Sequence, residues 1–252
     1  MDALTLVISA PRTGSTLLCR DIASLGGLGS PREYLRGFEG VARSAPTPEA
    51  AEAAVLERLA ESVQESAPGV GAVKLMVQQA RPVAEALTGV RPQSSADAVS
   101  SVVTWASGHF DHLCVVVLVR NALDVAISRA VAEATGVYHS TSKAFRADGE
   151  RPLDDVDINE AIMGELLAAC RDRRTLQAVV AAHGDLALTL TYEELTERAG
   201  STTARLLAHA RSQGLDPQGD QPRRRLTKVM SAERSDDLRR SFLTHLGSEP
   251  GI

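Results

Sequence analysis

Apolar positions along the chain follow two alternating patterns. Short unbroken apolar runs at residues 4–9, 70–76 ("VGAVKLM"), 113–119 ("LCVVVLV") and 186–191 ("LALTLT") are bounded by turn residues and predict buried strands. Between them, apolar residues recur at helical spacing. Leu17, Leu18, Ile22 and Leu25 share a face over 16–25, and Val55, Leu59 and Val63 share one on a helix opening at Thr47-Pro48. Further helices are predicted over 82–87, 97–105, 122–134 and 158–182, the last preceded by Asp157 with Glu160 at capping-box spacing. Short strands alternating with helices predict an α/β fold of three layers, a central parallel sheet flanked by helices. The stretch "GGLGSPREYLRGFEG" is expected as an exposed connection with room for one helical turn, and "FRADGERPLDDVD" as a polar loop between helices. With no repeat and no low-complexity tract, a single domain over 1–252 is expected.

Composition narrows the function classes. A net charge of -5 argues against bulk electrostatic binding to nucleic acid or to an anionic membrane, while leaving room for a basic pocket. Cys19, Cys114 and Cys170 lie far apart in apolar surroundings, an odd number without metal-ligand spacing. They read as small buried hydrophobes in a reducing compartment. The first residues lack a basic n-region, and their apolar run is too short to span a bilayer, so a cytoplasmic protein is expected.

Ligands of open parallel sheets bind beyond the carboxyl ends of the strands, so the strand exits carry the chemistry. The first exit, "APRTGSTLL", is a tight turn opening onto a helix N-terminus, which favours phosphate or sulfate. It is not a Walker A loop: with Gly14 in place of the second glycine, Ser15 occupies the lysine position and Ser9 the first glycine position. The third exit is Arg120, where a nucleotide triphosphatase carries a magnesium-organising aspartate. Ser128 stands about two helical turns beyond it. A small-residue turn alone is also ordinary α/β punctuation, and Arg120 alone also suits a surface ion pair. Taken together, two basic exits, an anion loop and no acidic exit favour a ligand with two separate phosphate groups and no metal.

This combination resembles the sulfotransferases that use 3′-phosphoadenosine 5′-phosphosulfate (PAPS), and more closely the bacterial trehalose sulfotransferase family, with a P-loop-like fold. "PRTGSTLL" is similar to the family's 5′-phosphosulfate loop, which implies donor contacts from Arg12, Thr13, Gly14, Ser15 and Thr16. "SPREYL" resembles the segment carrying the general base, here Glu33. "VKLM" resembles a Lys-Leu-Met strand containing Lys74, and "RNALDVAIS" has the Arg120-to-Ser128 spacing for the 3′-phosphate. "TGVYH" is similar to a segment near the active site, which makes His139 an acceptor-site candidate, and "YEEL" to a turn in which Tyr192 approaches the adenine. Tyr138 and Val77 stand where the family carries aromatic residues.

The resemblance implies sulfuryl transfer from PAPS to a hydroxyl of a sugar or other small metabolite, without metal, in a homodimer that engages neither nucleic acid nor membrane. Arg12 suits the leaving phosphate, because a guanidinium stays charged and offers paired donors. Glu33 would take the acceptor proton. Lys74, a charge within a buried strand, must be paired or reach a cleft; it binds sulfuryl oxygens or snorkels past the sheet end. The basic run "PRRRLTKVM" (Arg223, Arg224, Arg225, Lys228) reads as a solvated face or as a cover for the 3′-phosphate. Two rival functions are a P-loop kinase or nucleotide triphosphatase and a non-catalytic binder of adenosine bisphosphate.

Overall fold

The computed structural model describes residues 1–64, 67–138, 157–222 and 230–248, without the side chains of 41–43 and 248. The polar loop before Asp157, His139 and the basic run 223–225 with Lys228 lie outside the described residues. The chain divides into two compact units: Met1–Val119 with Arg174–Arg225, and Arg120–Arg173 with Leu226–Ile252.

The first unit is built on four strands, β1 (Ala3–Ser9), β2 (Val70–Met76), β3 (His112–Val119) and β4 (Ala187–Thr191). They form one sheet of order β2-β1-β3-β4 in which every pairing is parallel. All four expected strands are present, with ends within one residue of those read from the sequence. Their unbroken apolar character follows from burial on both faces. On one face Leu4, Leu6, Ile8, Val73, Leu75, Val115 and Val117 pack with side chains from α2 (Phe38–Ser44), α3 (Pro48–Ala60), α4 (Ala80–Thr88) and α5 (Ser95–His109). On the other, Val7, Cys114, Val116, Leu118 and Leu190 pack with α1 (Ser15–Leu25), as well as Leu195, Leu206 and Leu207 from later helices. The three-layer expectation is met.

Local chemistry sets the helix starts. Thr47 accepts the Ala50 amide hydrogen at 3.2 Å ahead of Pro48, and Ser94 and Asp97 form a reciprocal capping box at α5. α3 ends at Ala60, so Val63 falls outside the stripe expected for it. Ser62 takes over that corner: its hydroxyl donates to the Leu59 carbonyl at 2.5 Å and accepts the Ala72 amide of β2 at 2.8 Å.

The connection from Gly26 to Phe38 is not the exposed loop expected. Leu28, Leu35 and Phe38 are buried, and Arg32 bridges Val73 in parallel, with its carbonyl accepting the Lys74 amide at 2.8 Å. The segment thus lines the outer edge of β2. Its apolar residues are too widely spaced for either period, which hid their burial. Gly29 allows the approach: its φ is +73°, and a Cβ there would lie 2.6 Å from the Ala72 Cβ.

In the second unit, α6 (Ala122–Thr135), the first part of α7 (Ile158–His183) and α10 (Ala232–Ser248) share a core of Val125, Ile127, Ile162 and Phe242. Helices α8 (Tyr192–Glu197) and α9 (Ala199–Ser212) complete the first unit. Asp157 accepts the Glu160 amide hydrogen at 3.2 Å, one half of the expected box at the start of α7. The three cysteines form no disulfide, and Cys19 and Cys114 are buried. No described helix is long and apolar enough to cross a membrane.

Candidate active site

β1 delivers the chain to its carboxyl end at Ser9, next to the place where the strand order turns from β2 to β3. The turn that follows is wound tightly. The Thr13 hydroxyl donates to the Ala10 carbonyl at 2.8 Å, which ties the turn from within. Arg12 holds a left-handed φ of 68°, alone in this among the described non-glycine residues. Such a conformation persists only where the surroundings enforce it. Gly14, at φ 90°, is the N-cap of α1 and contributes no side chain to the cap. The amides of the first turn of α1 therefore face outward with the positive end of the helix dipole, and that turn contains no acidic residue. Ser15 is buried and Thr16 half-buried. The ring of Tyr192, the first residue of α8, lies against Gly14: a Cβ at position 14 would meet the Tyr192 Cδ2 at 2.3 Å. Thr191 and Glu194 set the start of α8 through a capping box at the exit of β4.

The exit of β2 organises a second group. Lys74 is 9% exposed, and its Nζ lies 2.9 Å from the Glu33 Oε1. Gln79, in the single 3-10 turn after β2, donates from Nε2 to the Glu33 Oε2 at 2.9 Å. Both carboxylate oxygens are thus held, and the backbone beside them is pinned by the Arg32–Lys74 hydrogen bond. Burial pushes the Glu33 carboxyl upward. The Lys74 hydrogen bond and charge, then the Gln79 hydrogen bond and the Arg36 charge, outweigh it and hold the group below the ordinary glutamate value. The pair is near α1. Burial drives the Cys19 thiol up to about 12, and the charges of Lys74 and Glu33 both act on it. The pairing expected of a charge in a buried strand is met by Glu33.

Arg120 follows β3 directly, and Asn121 caps α6 by accepting the Leu123 amide at 2.9 Å. Arg120 is half-buried, with its Nε enclosed, and Ser128 is half-buried on α6; both belong to the second unit. The first unit brings together the turn from Arg12 to Thr16 with Tyr192, and Glu33 with Lys74. Tyr138 is 52% exposed, whereas Val77 is buried. Sequence reasoning missed Gln79. A neutral amide just past a strand carries no charge anomaly and no periodic signal.

The model of the Stf0 sulphotransferase family matches residues 5–243. The chain belongs to the Stf0 sulphotransferase family. Its enzyme class is that of the PAPS-dependent sulfotransferases, as the motifs from the first strand to the fourth implied. Among solved structures, the sulfotransferase domain is similar to retinol dehydratase in complex with androsterone and inactive cofactor PAP. The two are 14% identical over 99% of this chain and 82% of that chain, with a TM-score of 0.34. The class assignment rests on the family match alone. No curated protein matches the chain.

Proposed function

We propose that this sulfotransferase moves the sulfuryl group of PAPS, without a metal, to a hydroxyl of a sugar or other small metabolite, with Glu33 as general base. The observation that carries the reading is the Glu33 carboxylate: both its oxygens are held, it is kept ionised, and it lies near the helix that follows the anion turn. A carboxylate in that state carries no proton of its own at neutral pH and is free to take one from an acceptor hydroxyl, at the cost of the proton affinity that the Lys74 contact removes.

The donor set fits a phosphosulfate. The turn supplies outward amides at α1, an arginine, and a glycine whose missing Cβ leaves room for the Tyr192 ring. Arg12 would neutralise the leaving 5′-phosphate. Thr13 would shape the turn, Gly14, Ser15 and Thr16 would offer amides and hydroxyls, and Tyr192 would lie against the adenine. Arg120 and Ser128 would hold the 3′-phosphate, and Lys74 would serve both Glu33 and the equatorial sulfuryl oxygens. In the transfer, the sulfur–oxygen bond to the 5′-phosphate breaks as the acceptor oxygen bonds to sulfur. The acceptor proton passes to Glu33, and adenosine 3′,5′-bisphosphate leaves with the bridging oxygen's electron pair. In-line transfer of this kind asks the protein for alignment and charge stabilisation.

The test is incubation with labelled PAPS, a metabolite extract and EDTA, followed by mass analysis. Sulfated products with release of the bisphosphate are expected. Bisphosphate binding without donor consumption would make the chain a non-catalytic binder, and ATP turnover that EDTA abolishes would make it a kinase or triphosphatase.

A further inference from the structure

Gln79 donates a hydrogen bond to Glu33, and its geometry is constrained. An ionised carboxylate only accepts hydrogen bonds, so the amide must turn its NH₂ toward the Glu33 Oε2, as the 2.9 Å contact has it. That orientation sends the amide oxygen elsewhere. Oε1 of Gln79 is buried and has no hydrogen-bond partner among the described residues. A buried acceptor without a donor is unfavourable, and an apolar side chain of similar size would avoid it. The fold thus tolerates an unmet acceptor on Gln79 and keeps the donor it places on the Glu33 carboxylate.

We propose that Gln79 is a positioning residue for the general base: it fixes the Glu33 carboxylate from the side opposite Lys74 and keeps it aimed at the acceptor. This rests on the reading of Glu33 as the base. Charge explains why a neutral donor suits the task. Lys74 and Arg36 already act on Glu33 as cations, while the Cys19 thiol near the pair is protonated and neutral. A second cation in contact would hold the carboxylate as firmly but would lower its proton affinity further. An amide orients it at less cost to basicity. The exit of β2 thus supplies one grip that sets charge, Lys74, and one that sets direction, Gln79.

Two variants test this. Gln79→Leu removes the donor and the unmet acceptor together, and Gln79→Lys keeps a donor but adds charge. The Glu33 carboxyl carbon is followed by NMR across pH, beside kcat and KM on an alcohol and a phenol acceptor. In Gln79→Leu, Glu33 should titrate at higher pH than in wild type, with any loss of melting temperature near neutral pH disappearing in acid, where Glu33 is protonated. Its kcat on the alcohol should fall roughly tenfold, the scale of one charge-assisted hydrogen bond, with KM little changed and much of the loss recovered on the phenol. In Gln79→Lys, Glu33 should titrate lower and turnover should again fall. A Glu33 titration unmoved in both variants would overturn the role of Gln79. Titrations that shift as expected, in a wild-type protein that sulfates no acceptor, would leave the grip standing and remove the reading of Glu33 as the base.

Discussion

Among the described residues, each unit encloses a cation against carboxylates, Lys74 in the first and Arg129 in the second, and the two clusters are composed differently. In the first, Lys74 meets one carboxylate, Glu33, whose second oxygen is held by the neutral amide of Gln79. In the second, Arg129 on α6 meets Asp172 at 2.5 Å and Glu165 at 3.7 Å, both on α7. The side chains of the two cations are almost equally enclosed, at 11% and 12% exposure. Burial therefore does not tell them apart. Arg129 is outnumbered by carboxylates that join two helices side by side, the arrangement of a packing tie. Lys74 stands one-to-one with a carboxylate anchored on an irregular segment at a strand exit, where ligands of such sheets bind. The composition of the cluster and its place on the sheet separate a site from a tie.

Substitutions should break the likeness between the clusters in opposite ways. The largest effect is expected from Glu33→Gln, which keeps size and one acceptor oxygen but removes the proposed base. Turnover on an alcohol should fall about a hundredfold or more, with the dissociation constant for adenosine 3′,5′-bisphosphate nearly unchanged. Activity within a few fold of wild type would reduce Lys74–Glu33 to a tie like that of Arg129. Next in size is Arg120→Ala. Calorimetry should show roughly ten- to a hundredfold weaker binding of the bisphosphate and a much smaller change for 5′-AMP, which lacks the 3′-phosphate. Equal loss for both nucleotides would return Arg120 to the ion-pairing class.

Asp172→Ala should do the reverse of Glu33→Gln. It removes a charge-assisted bond whose carboxylate is 20% exposed, so about 1.5 kcal/mol of stability should be lost. A melting temperature lower by roughly 3–6 °C is expected, with turnover per folded molecule retained. The smallest effect concerns pH. The folded Glu33 carboxyl sits below its ordinary value of 4.5, so its pair with Lys74 contributes stability above that value and loses it as pH falls through the folded one. The melting temperatures of wild type and Glu33→Gln should differ near neutral pH and converge in acid. A gap that persists in acid would mean that the pair's charge is not what stabilises it.

The sheet was legible because burial on both faces writes an unbroken apolar run for each strand, and turn residues mark its ends. The six helices expected between β1 and β4 were legible in type, with ends that depended on caps, whereas α8, α9 and α10 beyond β4 were not read from the sequence. Ser94 and Asp97 carry α5 two residues earlier than its apolar stripe begins, while α3 stops before Val63, where Ser62 turns back to β2. In the candidate site, Lys74 announced itself as a charge in a buried strand that had to find a partner, and Glu33 entered through a motif. Their meeting was not readable, because it depends on the segment from Gly26 to Phe38 lying along β2 through Arg32 and Gly29. Isolated contacts of that kind leave no period in the sequence. Gln79 was invisible for a chemical reason: it has no charge to be anomalous.

The contact between Gly14 and Tyr192 ties the beginning of the chain to a turn near its end as a lock to its key. Any side chain at position 14 collides with the ring, and the left-handed backbone there disfavours one even if the ring were removed. The two positions are therefore not independent letters. In a lineage or a mutant library, Tyr192 can shrink while Gly14 waits, but Gly14 cannot change first. Routes by which this turn could change are ordered in time: the ring at 192 must yield first, and the backbone at 14 must then leave its left-handed conformation.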